Sequence, residues 1–187
     1  MTTTGGWQGD LVRLRALEPA DAEAFFTAAA DTGAERLGER VPFPSSRAET
    51  RKWVESKGRV PDHCDDFTWG VEALATSDLV GTVGTHGCDR RNGTFDSGVY
   101  IWRSHWRKGY GHEAVRLMLR YCFAELGYQK ALAGVYDFNT ASLALHAALG
   151  FVEEGRLRRN VYAAGAYHDE VLLGITAEEF AELWPET

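Results

Sequence analysis

Residues 104–123 read SHWRKGYGHEAVRLMLRYCF. Glycines at 109 and 111 stand among Arg107, Lys108, Tyr110 and His112, and the chain then runs directly into an apolar segment. Val115, Met118, Leu119, Cys122 and Leu126 recur at helical spacing, which predicts a helix from about Gly111 to Leu126, buried on one face and closed by Gly127. A helix N-terminus presents unpaired N–H groups and about half a positive charge. Glycine at that mouth lets a bulky anion reach the backbone with no Cβ in the way. The strand-loop-helix context fits a pyrophosphate; the other reading is a tight turn carrying solvated basic side chains. The spacing matches neither G-x-x-x-x-G-K-[ST] nor G-x-G-x-x-G.

Upstream of this stretch, FTWGVEAL (67–74), LVGTVGTHGC (79–88) and FDSGVYIW (95–102) read as three strands of an antiparallel meander, separated by the turn-forming ATSD and DRRNGT. Further upstream, DLVRLRAL (10–17) alternates as a strand, and EPADAEAFFTAAAD (18–31) reads as a helix with Pro19 in its first turn. Ser46 and Glu49 form a capping box that opens a helix toward Lys57. Residues 32–44 between these helices read as a loop or broken helix, and residues 1–9 as a flexible segment. Downstream, KALAGVYDF (130–138) is a buried strand, Asn139 caps a helix over 140–149 that stops at Gly150, and 151–162 pairs with 167–175 around AAGA. Thr176 and Glu179 open a short terminal helix. The order predicts one domain over residues 1–187, of α/β (α+β) class. It has a mixed, largely antiparallel seven-stranded sheet flanked by four to five helices, with one crossover helix making a parallel pair.

Twenty basic against 27 acidic side chains leave a formal charge of -7, which disfavours nucleic acid or an anionic membrane as partner and favours a cationic one. No segment approaches the roughly 18 apolar residues of a membrane span, and the N-terminus lacks a basic stretch followed by an apolar run. A cytoplasmic protein is expected. Cys64, Cys88 and Cys122 are odd in number and widely spaced, which suits structural thiols better than disulfides or a metal cage. DHCDD (62–66) lacks a second ligand pair at metal spacing and reads as a polar loop, and GRLRRN (155–160) as the exposed face of a strand.

GVYIWRSHWRKGYGHEA (98–114), NTASLALHAALGFVEEGRLR (139–158) and YHDEVLLGI (167–175) together resemble the GCN5-related N-acetyltransferase (GNAT) superfamily, and within it the ribosomal-protein-alanine acetyltransferase (RimJ/RimL-like) branch. The acyl-CoA loop of that superfamily is written [QR]-x-x-G-x-[GA]; Trp106 stands at its first position, an aromatic substitution common in the branch. The resemblance implies that the amides of residues 107–112 (Arg107, Lys108, Gly109, Tyr110, Gly111, His112) hold the coenzyme A pyrophosphate. It implies that backbone groups around Ile101, Trp102 and Arg103 meet the pantetheine arm and the thioester carbonyl, and that Asn139 and Ser142 lie along the arm. The co-substrate is then acetyl-CoA, with no metal.

An amine with a pKa near 10 is mostly protonated at neutral pH, so a base must take a proton before attack. Asp96, where related sequences often carry a carboxylate, is the first candidate; its other reading is a solvated carboxylate or an ammonium anchor. His86 on the neighbouring strand is the second, Glu72 is left open by strand phase, and none of the cysteines suggests a covalent intermediate. His146 stands where many superfamily members place a tyrosine that protonates the departing thiolate, with Ser142 one turn earlier; a packed helix histidine is the alternative. Glu35, Arg36 and Phe43 lie where family members vary to shape the acceptor pocket. The resemblance implies direct transfer to a primary amine, either a protein N-terminus or a small molecule, and allows a homodimer. A catalytically silent acyl-CoA-binding module and a nucleotide-binding domain are the competing readings.

Overall fold

The computed structural model describes residues 6–38, 41–59 and 64–185. Seven strands, β1 (Val12–Arg15), β2 (Thr68–Ala73), β3 (Leu79–Asp89), β4 (Thr94–Ile101), β5 (Lys130–Tyr136), β6 (Val152–Ala163) and β7 (Ala166–Thr176), form one sheet in the order β1-β2-β3-β4-β5-β7-β6. Every neighbouring pair is antiparallel except β4 with β5. These two strands are joined by α4 (Tyr110–Ala124), the one long crossover, and a crossover helix returns the chain parallel. The other described helices are α1 (Ala22–Ala28), α2 (Thr32–Gly38), α3 (Arg47–Lys57), α5 (Thr140–Leu149) and α6 (Ala177–Leu183).

The apolar stripe of α4 settles which face of the sheet it covers. Val115, Met118, Leu119 and Cys122 are at most 1% exposed and pack with Val83, Phe95 and Ala131 in the main core. Leu126 lies beyond the helix and is exposed, so the stripe ends one turn earlier than its spacing suggests. On the opposite face Leu17, Ala22, Val54, Leu79 and Trp102 make a second, smaller core beneath α1 and α3. Ser46 caps α3 through Glu49 N, and Thr176 with Glu179 forms the expected box on α6.

One expectation is corrected and one is made definite. Residues 6–9 are not a loose end: Trp7 stacks against Trp69 and Tyr121 with ring centroids 5.6 and 4.3 Å apart, and Leu14 N donates to Trp7 O at 2.7 Å. Residues 1–5 lie outside the described residues. The segment 32–44 holds a complete short helix, α2, opened by Asp31 Oδ1 accepting Ala34 N at 3.0 Å. Glycines at 33 and 38 hid that helix from propensity alone.

Candidate active site: a gap between two parallel strands

β4 and β5 pair only over Thr94↔Lys130, Phe95↔Ala131 and Asp96↔Leu132. Ser97 Oγ closes the pairing by donating to Leu132 O at 3.0 Å. Beyond it β4 stays with β3 up to Ile101, and β5 stays with β7 up to Tyr136, so a gap opens between them. Antiparallel pairs alternate in hydrogen bonding. Because Trp102 N donates to Val80 O at 3.0 Å, the alternation turns the N–H and C=O of Ser97, Val99 and Ile101 away from β3 and into the gap. Val99 thereby joins the site, a residue that motif reading passed over. Trp102 leaves it as a backbone contributor: its N–H is spent on Val80 and its carbonyl accepts His105 N at 2.8 Å. The Ile101 carbonyl accepts Trp106 Nε1 at 2.5 Å, which gives the substituted first position of the loop motif a structural purpose.

At the upper end of β4 the chain makes a short 3-10 turn over Arg103–His105 and enters α4. Arg107 and Gly109 both take positive φ, 61° and 83°. Successive turns of this kind aim backbone N–H groups into one concavity, a nest for an anion. No side chain caps α4, and Glu113 N bonding to Gly109 O is its first intrahelical link, so the amides of Tyr110, Gly111 and His112 remain for a ligand. A Cβ on Gly111 would meet Ile101 and Leu145 at 3.4 and 3.7 Å, ordinary contact distances, so the start of α4 packs against β4 and α5. Arg107 and Lys108 are exposed beside the mouth. His112 turns its ring toward Trp184, 5.4 Å away, leaving only its amide at the mouth. Arg103 is turned away, its guanidinium paired with Asp31 at 2.5 Å and stacked over Trp106.

Glu113, unremarked in the sequence, locks this mouth to the first strand. Its buried carboxylate accepts N–H bonds from Asp10, Leu11 and Val12 at 2.9, 2.7 and 2.7 Å. Leu11 is thereby held beside Gly109, where an added Cβ would stand 3.0 Å from its Cδ1.

On α5, Asn139 spends both ends of its amide on the protein: Oδ1 accepts Ser142 N at 3.1 Å, and Nδ2 donates to Leu37 O at 3.0 Å. His146 is 3% exposed, packs edge-on against Phe151, and has Nδ1 2.9 Å from Ser142 O and 3.3 Å from Ser142 Oγ. Burial holds its pKa below the usual histidine value, with the bond to Ser142 pulling weakly the other way. A neutral imidazole donating Nδ1–H to a backbone carbonyl fits this pocket. Ser142, one turn nearer the gap, is partly exposed.

The face opposite α4 is built from side chains. Paired residues share a face, so Asp96, Gly98 and Tyr100 of β4 stand on the same side as His86 of β3, Leu132 and Gly134 of β5, and Glu170 of β7. His86 is exposed and is the register partner of Asp96. Glu72 is excluded as a base by its partners, Arg13 Nη2 at 2.5 Å and Arg15 Nε at 2.7 Å. Above this face α2 is stapled three times around the gap. Asp31 pairs with Arg103, Glu35 Oε1 accepts Tyr100 OH at 2.8 Å, and Leu37 O accepts Asn139. Burial, then the bond to Glu35, pushes Tyr100 well above the usual phenol range. Phe43 is almost fully exposed.

Groups read as structural find structural partners. Asp65 pairs with Arg90 and accepts Tyr128 OH at 2.7 Å, and Asp66 accepts Cys88 N at 3.0 Å. Among the described residues no three His, Cys, Asp or Glu side chains are placed to hold a metal. Burial pushes the Cys88 and Cys122 thiols up to about 11 and about 12, so neither is poised as a nucleophile. No described helix is long and apolar enough to cross a membrane.

The parallel pair β4–β5 thus splits above a helix mouth whose first amides carry no cap. The chain matches the model described as "Acetyltransferase (GNAT) domain" over residues 12–152. It belongs to that family and is an acetyltransferase. It is 36% identical over 174 residues, 93% of this chain and 94% of the relative, to the SPbeta prophage-derived uncharacterized N-acetyltransferase YokL of Bacillus subtilis. YdaF of the same organism, provisionally named a ribosomal N-acetyltransferase, is 29% identical over 90% of this chain and 93% of its own, consistent with the branch resembled. A solved spermidine N-acetyltransferase from Vibrio cholerae, in complex with CoA and spermine, superposes with a TM-score of 0.79 at 22% identity, covering 90% of this chain and 97% of that one.

Proposed function

We propose that the protein transfers an acetyl group from acetyl-CoA directly to a primary amine. The observation that carries this is the joint geometry of the gap: a backbone nest and free helix amides at its upper end, and inward-turned N–H groups of Val99 and Ile101 along one bank. The amides of residues 107–112 bind the pyrophosphate, and Arg107 and Lys108 add charge. The pantetheine arm descends between β4 and β5, along Ile101 and Ser142. The N–H of Val99 is the donor aimed at the thioester oxygen, where attack develops negative charge; one such preorganised donor contributes about 3 kcal/mol in other enzymes.

The amine enters from the opposite face. Asp96 and His86, side by side there, take the proton that the ammonium must lose before its nitrogen attacks. The nitrogen then bonds to the carbonyl carbon, the carbon–sulfur bond breaks, and the electron pair leaves on sulfur. Ser142 offers its hydroxyl to that thiolate, and His146, kept neutral by burial, positions Ser142 from behind. An acidic chain of net charge -7 attracts a cationic acceptor, whether a polyamine, the kind of amine bound in the Vibrio cholerae structure, or a protein N-terminus.

The test is a thermal-shift titration with acetyl-CoA, ATP and NAD, followed by thiol release with amines and N-terminal peptides. Ligand at a hundred times its Kd adds about 2.7 kcal/mol, which moves the midpoint by roughly 5 to 10 °C in a domain of this size. A shift with acetyl-CoA alone and amine-dependent thiol release support the proposal. A shift with ATP or NAD instead, or no thiol release from any amine, overturns it.

A further inference from the structure

Two glycines face each other across the gap, each roofed by a polar side chain. Gly98 on β4 and Gly134 on β5 are both two residues beyond the last shared pair, Asp96↔Leu132, so they stand level, about 7 Å above the point where the strands part. A Cβ on Gly98 would stand 3.5 Å from His86 Cε1, so the imidazole lies over that bare backbone. A Cβ on Gly134 would collide with Glu170 Oε1, so the carboxylate lies over the other. Glu170 is carried there by β7, whose register sets it opposite Tyr136, and it is held by Asn160 Nδ2 donating to Oε2 at 2.7 Å. An imidazole and a carboxylate thus stand on opposite banks of one gap, on the acceptor face. The backbone spacing between the two glycines begins at about 5 Å where the strands part and widens upward.

We propose that Glu170, seated over Gly134, is the residue that receives the acceptor's ammonium group. The inference rests on the transferase reading of the gap. Glu170 holds R–NH3+ with its nitrogen toward His86 and Asp96. One proton passes to that pair and on to solvent. The nitrogen lone pair forms the N–C bond to the acetyl carbon, the C–S bond breaks with its electrons on sulfur, and the second proton lost from nitrogen ends on the thiolate. The products are the N-alkyl acetamide, the free thiol of coenzyme A and one released proton. The glycine at 134 is required because any side chain there displaces the carboxylate.

Steady-state kinetics of the wild type, Glu170→Gln, Gly134→Ala and the double variant, at saturating acetyl-CoA, test this with a primary alkylamine and an aniline as paired acceptors. Glu170→Gln is expected to raise the alkylamine KM about tenfold or more, as loss of a charge-assisted bond does, with the aniline KM and the acetyl-CoA KM unchanged. Gly134→Ala is expected to do the same, and the double variant to be no worse than either single, because both remove one interaction. Should Gly134→Ala lower the melting temperature enough to blur the comparison, Asn160→Ala replaces it; releasing Oε2 is expected to raise the alkylamine KM severalfold. An unchanged alkylamine KM in Glu170→Gln, equal losses with both acceptors, or additive effects in the double variant overturn the inference while leaving the transferase reading in place. A wild type that binds acetyl-CoA and turns over no amine and no N-terminal peptide overturns both.

Discussion

The two faces of the gap are made in different ways. The face beneath α4 is almost all backbone, contributed by one continuous stretch from Ser97 to His112 with a left-handed glycine at 109. The face beneath α1 to α3 is made of side chains from distant places in the chain: Glu35, His86, Asp96, Tyr100 and Glu170. A backbone site needs a strand end, a turn and a helix start, all of them local. A side-chain site needs strands in one register, and register is a property of the whole sheet. The first construction suits the coenzyme proposed for it, whose contacts are to backbone, and the second the proposed acceptor, whose contacts are to side chains.

The sharpest way to break this contrast is Gly109→Asp. The position has φ 83°, and a carboxylate there faces an incoming pyrophosphate. Acetyl-CoA affinity is expected to fall more than about a hundredfold, read by calorimetry or by loss of the thermal shift; an unchanged Kd would show that the helix mouth is not the coenzyme side. The opposite face is probed by Asp96→Asn and His86→Ala. Each is expected to cut kcat/KM for the amine, and the pair by about a hundredfold or more, with the acidic limb of the pH-rate profile altered and acetyl-CoA binding intact. Parallel loss of coenzyme affinity would mean that the two faces are not separate.

Stability separates the faces too. Glu113→Ala leaves three N–H groups of residues 10–12 without their acceptor, one of them fully buried. It is expected to cost about 3 kcal/mol, a fall of roughly 6 to 12 °C in Tm, and to loosen coenzyme binding secondarily. Tyr100→Phe removes one of three ties on α2 and is expected to raise the acceptor KM only a few-fold, leaving Tm within about 2 °C.

The smallest effect concerns His146. Its folded pKa lies below the ordinary value of 6.5, so the unfolded chain takes up the proton first. Its contribution to stability is whole above about pH 6.5 and is lost as pH falls below it. His105, also held low by burial and then by Lys108, adds to the same slope. Melting curves from pH 7.5 to 5.5 on His146→Asn, which keeps a donor toward Ser142 O, are expected to show a shallower decline than the wild type. An identical slope would mean that His146 does not titrate as its burial requires.

Much of this arrangement was legible in the sequence, and the illegible part follows one pattern. The meander, the crossover helix, the hairpin and the loop at 106–111 were read from period and glycine spacing, which are local signals. Glu170 is not legible in the sequence because its seat depends on Gly134, a residue on another strand 36 positions away, and Glu113 because its partners begin more than a hundred residues upstream. Trp102 was placed at the gap from motif position, whereas hydrogen-bond alternation along β4 puts its N–H and C=O on the far side. Strand phase alone does not decide Glu72; two arginines on β1 do.

By itself, the sequence determined the class of fold, the helix mouth and the absence of side chains where a pyrophosphate backbone contact needs room. These are matters of dihedral preference and periodicity that neighbouring residues settle among themselves. Tertiary structure alone decided where β4 and β5 part, which backbone groups turn inward, and that an imidazole and a carboxylate lie over two glycines on opposite banks of the gap. Those depend on pairing register between strands far apart in the chain, and a shift of one residue would send every one of those side chains to the other face.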